Sequence, residues 1–174
     1  MGQIAEMIVN SATMGLSYAE RLVKDIPAER FGRFATLGGE HVVANHPAFA
    51  LGHLCLYPQK AMGLLGKEVA GCVAPSSYEE LFSKNATCQD DSTGGLYPAA
   101  DEIIAVFKST HEAAFNEIRA CSDELLLSPN PVDSPMKEKL PSLGAMLNFY
   151  LTSHVMIHLG QVSTWRRVEK LPPA

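Results

Sequence analysis

Nowhere does the chain offer the roughly 18 uncharged apolar residues that a membrane-spanning helix needs, and its best stretch, around Ala48–Leu56, is interrupted by His53. Basic charge is scarce as well. Fourteen Lys and Arg stand against nineteen Asp and Glu, a formal net charge of −5, so the broad positive footprint required by nucleic acid or an anionic membrane surface is missing. Cys55, Cys72, Cys88 and Cys121 contain no C-x-x-C pair and are too few to staple a chain of this size, which makes them free thiols of a reducing compartment. Residues 1–9 carry Glu6 and no basic segment ahead of an apolar block, unlike a secretory signal, and Glu at position 6 defeats a myristoylation reading of Met1-Gly2. Alternation of β-branched residues is also lacking, so strands are not expected. These absences predict a cytoplasmic protein whose partners are a small-molecule substrate and other protein chains, with no nucleic acid and no membrane.

What is present suits one folded domain over residues 1–174: the chain is 47% hydrophobic, enough apolar material for a core. Four segments show helical spacing. The first covers about Gln3–Lys24, with Ile4, Ile8, Ala12, Leu16, Ala19 and Leu22 three or four apart. A connector follows in which Pro27 opens a short helical turn and Gly38-Gly39 breaks the chain. The second helix starts near Pro47, with Asn45 or His46 placed to cap it, and stops at Gly66. Pro58 inside it predicts a kink or a break one turn after His53.

Residues 67–97 read as a long connector of the kind that covers a site, with one short helix at the capping-box pattern Ser77-x-x-Glu80 and a turn at Asp90–Gly95. Pro98 opens the third helix, which runs to Ser122-Asp123 with Ile104, Phe107, His111, Ala114, Phe115 and Ile118 in register. A proline-rich loop over residues 122–141 leads to the fourth helix, residues 142–168. The fold class predicted is all-α, a four-helix bundle with long connecting loops. Phe31, Phe34 and Phe82 are expected to be exposed and to serve a homodimer interface.

The histidines carry the chemistry. Leu147, Leu151, His154, His158, Gln161 and Trp165 advance by four and three, a stripe facing the core with two imidazoles and an amide in its middle. Side chains four apart on a helix have Cβ atoms about 5–6 Å apart, so His154 and His158 can offer nitrogens to one ion. His53 occupies the apolar face of another predicted helix. Three histidines in one core are either hydrogen-bonded individually or share a metal, and a metal removes a desolvation cost of order 1–3 kcal/mol for each unpaired group.

Other metal patterns fail on spacing. Glu-x-x-His is absent at every histidine, which excludes a ferritin-like di-iron site, and His111-Glu112 is not completed as H-E-x-x-H because position 115 is Phe. His111 is either a further ligand or supporting group of the site or a hydrogen-bonded core histidine. His46 lies about 10.5 Å from His53 along a helix axis and reads, with His41, as a capping or surface residue.

Leu51-Gly52-His53-Leu54, Ser122-Asp123-Glu124-Leu125 and His154-x-x-x-His158-x-Gly160-Gln161 followed by Arg166-Arg167 resemble the DinB-like (YfiT-type) superfamily of metal-binding four-helix bundles. The resemblance implies that His53, His154 and His158 ligate one divalent metal, that Gly160 allows close helix packing, and that Gln161 lies near the site and binds a ligand, water or backbone. It also implies a thiol-dependent S-transferase or isomerase using a low-molecular-weight thiol. Imidazole ligands suit zinc, nickel or iron, and a three-histidine set keeps coordination positions open. A metal-activated water for hydrolysis and a non-catalytic metal- or ligand-binding bundle are the alternatives.

Overall fold

Spacings of three and four produce α1, Gln3–Val23, in the computed structural model, which describes residues 2–174. Its buried stripe, Ala5, Ile8, Val9, Ala12, Leu16, Ala19 and Leu22, packs against α5 (Ala100–Arg119) and the last helix. Both ends of α1 are held by distant side chains. At its start, the Asp123 carboxylate accepts from the amides of Gln3 (3.0 Å) and Ile4 (2.9 Å), satisfying donors that the first turn leaves free and opposing the positive end of the helix dipole. At its end, the buried Arg166 guanidinium donates to the carbonyls of Leu22 (2.8 Å) and Lys24 (2.7 Å). Asp123 and Arg166 are thus caps of α1, and neither belongs to a site.

The connector after α1 contains a two-stranded antiparallel hairpin, β1 Ala35–Leu37 and β2 Glu40–Val42, where no strand was expected. Gly38 (φ 62°) and Gly39 (φ 91°) form its two-residue turn, and two consecutive positive φ values are what a tight hairpin with the native strand twist demands. His41 is exposed on β2. His46 caps α2, Pro47–Leu54: its Nδ1 accepts from the Phe49 amide (3.2 Å) while Nε2 donates to the Gln89 carbonyl (2.9 Å). Pro58 divides the predicted second helix, as its missing N–H requires: the chain leaves α2 at Cys55 and starts α3, Tyr57–Leu64, two residues further on with Pro58 in its first turn, and Gly66 at φ 66° ends it.

The 67–97 connector holds one helix of regular hydrogen bonding, α4 Ser77–Phe82, as expected, but its N-cap is Ser76 and no side chain caps it, so the Ser77-x-x-Glu80 box does not form. Residues 122–141 are more than a loop: α6, Asp123–Leu127, is capped by the Ser122 hydroxyl, and a single turn α7 spans Met136–Lys139. The fourth predicted helix starts as α8, Leu143–Asn148, capped by Ser142, widens into a π turn over Phe149–Ser153, and continues as α9, His154–Val168.

Phe31, Phe34 and Phe82 are buried, at 3%, 9% and 0% exposure, and form no outer face. No helix among the described residues is long and apolar enough to cross a membrane.

Candidate metal centre

Two imidazoles come from α9 and one from α2. His154 and His158 stand one turn apart, and His53 leaves the last turn of α2, which packs directly on α9. One ligand nitrogen from each of the three lies within 4.8 Å of the others, a group that could hold a metal ion. Ring centroids are 4.8 Å apart for His53 and His158, 5.3 Å for His53 and His154, and 4.6 Å for His154 and His158.

The buried stripe of α8 and α9 is not the one that the spacing predicts. Leu147, Leu151, Val155, Leu159 and Val162 face the core, whereas His154, His158 and Gln161 run along its edge and are half-buried. The site therefore opens at the rim of the helix packing, where a small molecule can reach it. Only His53 is fully buried, at 7% exposure.

Two ligands are oriented from behind. His53 Nδ1 donates to the Phe82 carbonyl at 2.7 Å, and His158 Nδ1 donates to Gln161 Oε1 at 2.9 Å. Each bond fixes the ring tautomer and leaves Nε2 as the unprotonated nitrogen that could ligate a metal. Asn45 Nδ2 donates to the same Gln161 oxygen at 3.0 Å, so a loop residue outside the helix pattern completes the support. α4 covers the site from the His53 side, its last residue supplying the carbonyl.

His154 is the unsupported ligand. Its Nε2 lies 3.0 Å from His158 Nε2, and its Nδ1 is buried with no partner among the described residues. With His158 Nε2 unprotonated, the second nitrogen can approach that closely only if a proton or a cation sits between the two. Either arrangement leaves Nδ1 without a partner, as an acceptor in the first case and as a donor in the second. The donor set fits a divalent metal because one ligand nitrogen from each of three imidazoles comes within 4.8 Å of the others. The three rings are also kept neutral: burial pushes all three imidazoles below their ordinary range, His154 to about 3, with the neighbouring imidazoles and Lys60 adding to the effect on His154.

An aromatic wall that the spacing did not reveal surrounds His154. The Tyr57 ring lies 4.1 Å from it and 5.1 Å from His53, Phe149 lies 5.8 Å from it, and Tyr150 packs 5.2 Å from Tyr57. Burial pushes both phenols up, so they stay protonated as donors. Tyr57, four residues after His53, shares its helix face as the helical spacing predicts, whereas the Phe82 carbonyl leaves no mark in a sequence.

Gln161 lies on the edge of the stripe rather than facing the core, and its oxygen bonds the His158 ring and the Asn45 amide; Gly160 does not pack closely, since a Cβ there would meet nothing within 4 Å. Instead Gly160, Gln161, Asn45, Ile157, Thr164 and Trp165 line a cavity of about 350 Å³ between the hairpin and α9. Substituting Gln161 with Ala frees both His158 Nδ1 and Asn45, and metal affinity is expected to fall roughly 10–100-fold while the fold survives; competition with a chromogenic chelator reads the change.

His111 is not in the cluster. Its Nδ1 donates to the Phe107 carbonyl at 2.7 Å, its ring packs 4.3 Å from Phe107, and its Nε2 is buried without a partner among the described residues. Burial pushes it down to about 4. Because the folded value lies below the unfolded one, this residue's stability contribution is complete above about pH 6.5 and is lost as pH falls toward 4, a loss of roughly 2–3 kcal/mol by pH 4.5. His111→Leu is expected to abolish that share of the acid sensitivity, with stability at pH 7.5 within about 1 kcal/mol of the parent, as urea unfolding at both pH values would show.

No protein-family model matches the chain, and no curated protein matches it.

Proposed function

We propose that the chain is a DinB-like four-helix bundle, α1, α2–α3, α5 and α8–α9 supplying its helices, that binds one divalent metal (zinc, nickel or iron) through His53, His154 and His158. It would use the site as a thiol-dependent S-transferase acting on a small electrophile. The observation that carries this reading is the convergence of three neutral imidazoles, two of them locked with Nε2 free by Phe82 and Gln161.

A divalent metal bound there would supply a positive centre that holds a thiol as its thiolate, or a water as hydroxide, near neutral pH. The chain's own residues do the rest. His53, His154 and His158 bind as neutral donors, and Phe82 and Gln161 hold them in register. Tyr57 and Phe149 shield the His154 side from water.

The test combines metal and activity. Protein purified without an affinity tag and reconstituted with zinc, nickel or iron should consume a low-molecular-weight thiol in the presence of a suitable electrophile, and His158→Ala should not. Metal binding without thiol turnover would make it a binding module; hydrolysis without thiol would make the bound water the reagent. A homodimer is proposed as well, and since the three phenylalanines are buried it would have to use other exposed apolar residues, such as Val43 and Ile157.

A further inference from the structure

Around the exposed edge of the three histidines stand donors with no hydrogen-bond or ion-pair partner among the described residues. Lys60, on α3, places its ammonium over the Tyr57 ring, 5.0 Å from the centroid, and makes no ion pair among the described residues. Since the Tyr57 and His154 centroids are 4.1 Å apart, that ammonium lies within roughly 9 Å of the His154 ring. Tyr150 is next, its ring 5.2 Å from that of Tyr57; both are half-buried, and Tyr57 is the one that touches the imidazoles of His53 and His154. The opposing charge is Glu79 on α4, exposed, whose field reaches His53 and Tyr57.

The arrangement has a chemical preference. A lysine held on an aromatic face has lost part of its side-chain freedom already, so less is lost when it pairs with an anion. Phenol hydroxyls next to it add donors and no acceptor charge. Lys67 and Lys108 are paired with Glu117 and Glu20, whereas Lys60, like the remaining lysines, has no carboxylate partner among the described residues.

We propose that Lys60, with Tyr57 and Tyr150, anchors the carboxylate of a small molecule whose other end reaches the metal. The ligand class is a carboxylate-bearing low-molecular-weight compound with a metal-binding atom, such as a thiol, a few bonds away. This inference rests on the metal-centre reading above and names which ligands that centre prefers.

Two thiols of similar length separate the possibilities in the full chain loaded with cobalt(II): 3-mercaptopropionate, which carries a carboxylate, and 2-mercaptoethanol, which does not. The thiolate-to-cobalt absorption band is titrated with each. The parent protein should bind 3-mercaptopropionate about five- to tenfold more tightly. Lys60→Gln should erase most of that preference while leaving 2-mercaptoethanol affinity unchanged, Lys60→Arg should keep it, and Tyr57→Phe and Tyr150→Phe should each weaken it. Equal affinity for the two thiols in the parent, or a preference that survives Lys60→Gln, overturns the anchor. A protein that holds one cobalt ion and responds to neither thiol overturns the anchor and the thiol chemistry while the metal centre stands. Failure to bind cobalt at all removes the centre itself.

Discussion

His158→Ala should reduce affinity for a divalent metal by at least about a hundredfold and leave a folded protein. The lower bound follows from the 10–100-fold that is commonly lost when only the group behind a ligating imidazole is removed, since deleting the ligand deletes that support with it. His158 is the best supported of the half-buried pair, because Gln161 and Asn45 fix its ring from behind, so the loss cannot be recovered by a small rotation of a neighbour. The fold should survive because the residue lies at the edge of the α9 stripe, while Val155, Leu159 and Val162 make the core contact. Circular dichroism checks the fold and chelator competition checks the metal. His53→Ala should have an equal effect on binding at a higher cost in stability, since that ring is buried under α4.

Gly52→Ala should lower stability by about 2 kcal/mol and, separately, weaken the metal site about tenfold. A Cβ on Gly52 would lie 2.6 Å from three carbons of the Phe82 ring. That ring has nowhere to go: it is fully buried, stacked 5.5 Å from Tyr97 and set edge-on to Tyr78 at 5.0 Å and Phe49 at 6.0 Å. Overpacking of this kind costs roughly 1–3 kcal/mol, and about 2 kcal/mol in a chain of this size means a melting temperature lower by about 4–8 °C. The second effect arises because Phe82 also supplies the carbonyl that orients His53, so moving it loosens a ligand. Gly63→Ala is the control, since a Cβ there meets nothing within 4 Å inside α3: it should leave metal affinity unchanged and raise stability by up to about 1 kcal/mol through helix propensity. A Gly52→Ala protein as stable as the parent would show that α4 does not clamp α2.

These two glycines also mark what could be read from residues alone. Gly52 beside His53 is a recognisable pair, and the packing gives it a physical reason: α4 can lie across α2 only where no side chain projects. The i, i+4 spacing of His154 and His158 and the apolar surroundings of His53 brought the three imidazoles together before any coordinates. What escaped was of two kinds. The Phe82 carbonyl and the Asn45 amide come from chain segments whose approach is set by tertiary packing, and a backbone carbonyl has no sequence signature. The π turn at 149–153 shifts the register of the last helix, which is why a stripe counted by threes and fours placed the histidines at the centre of the core when they lie on its edge. The hairpin was missed for a simpler reason: three-residue strands leave no alternation to count, although Gly38-Gly39 is itself a hairpin-turn signal.

The most direct measurement is an anomalous difference map from crystals of the protein purified without an affinity tag and supplied with zinc, with data collected on both sides of the zinc absorption edge. One metal peak is expected within bonding distance, about 2.0–2.1 Å, of His53, His154 and His158 Nε2, and absent from the His158→Ala protein. Crystals of the zinc-supplied protein with no anomalous peak among the three imidazoles, and with His154 Nε2 hydrogen-bonded to His158 Nε2 instead, would contradict the metal centre.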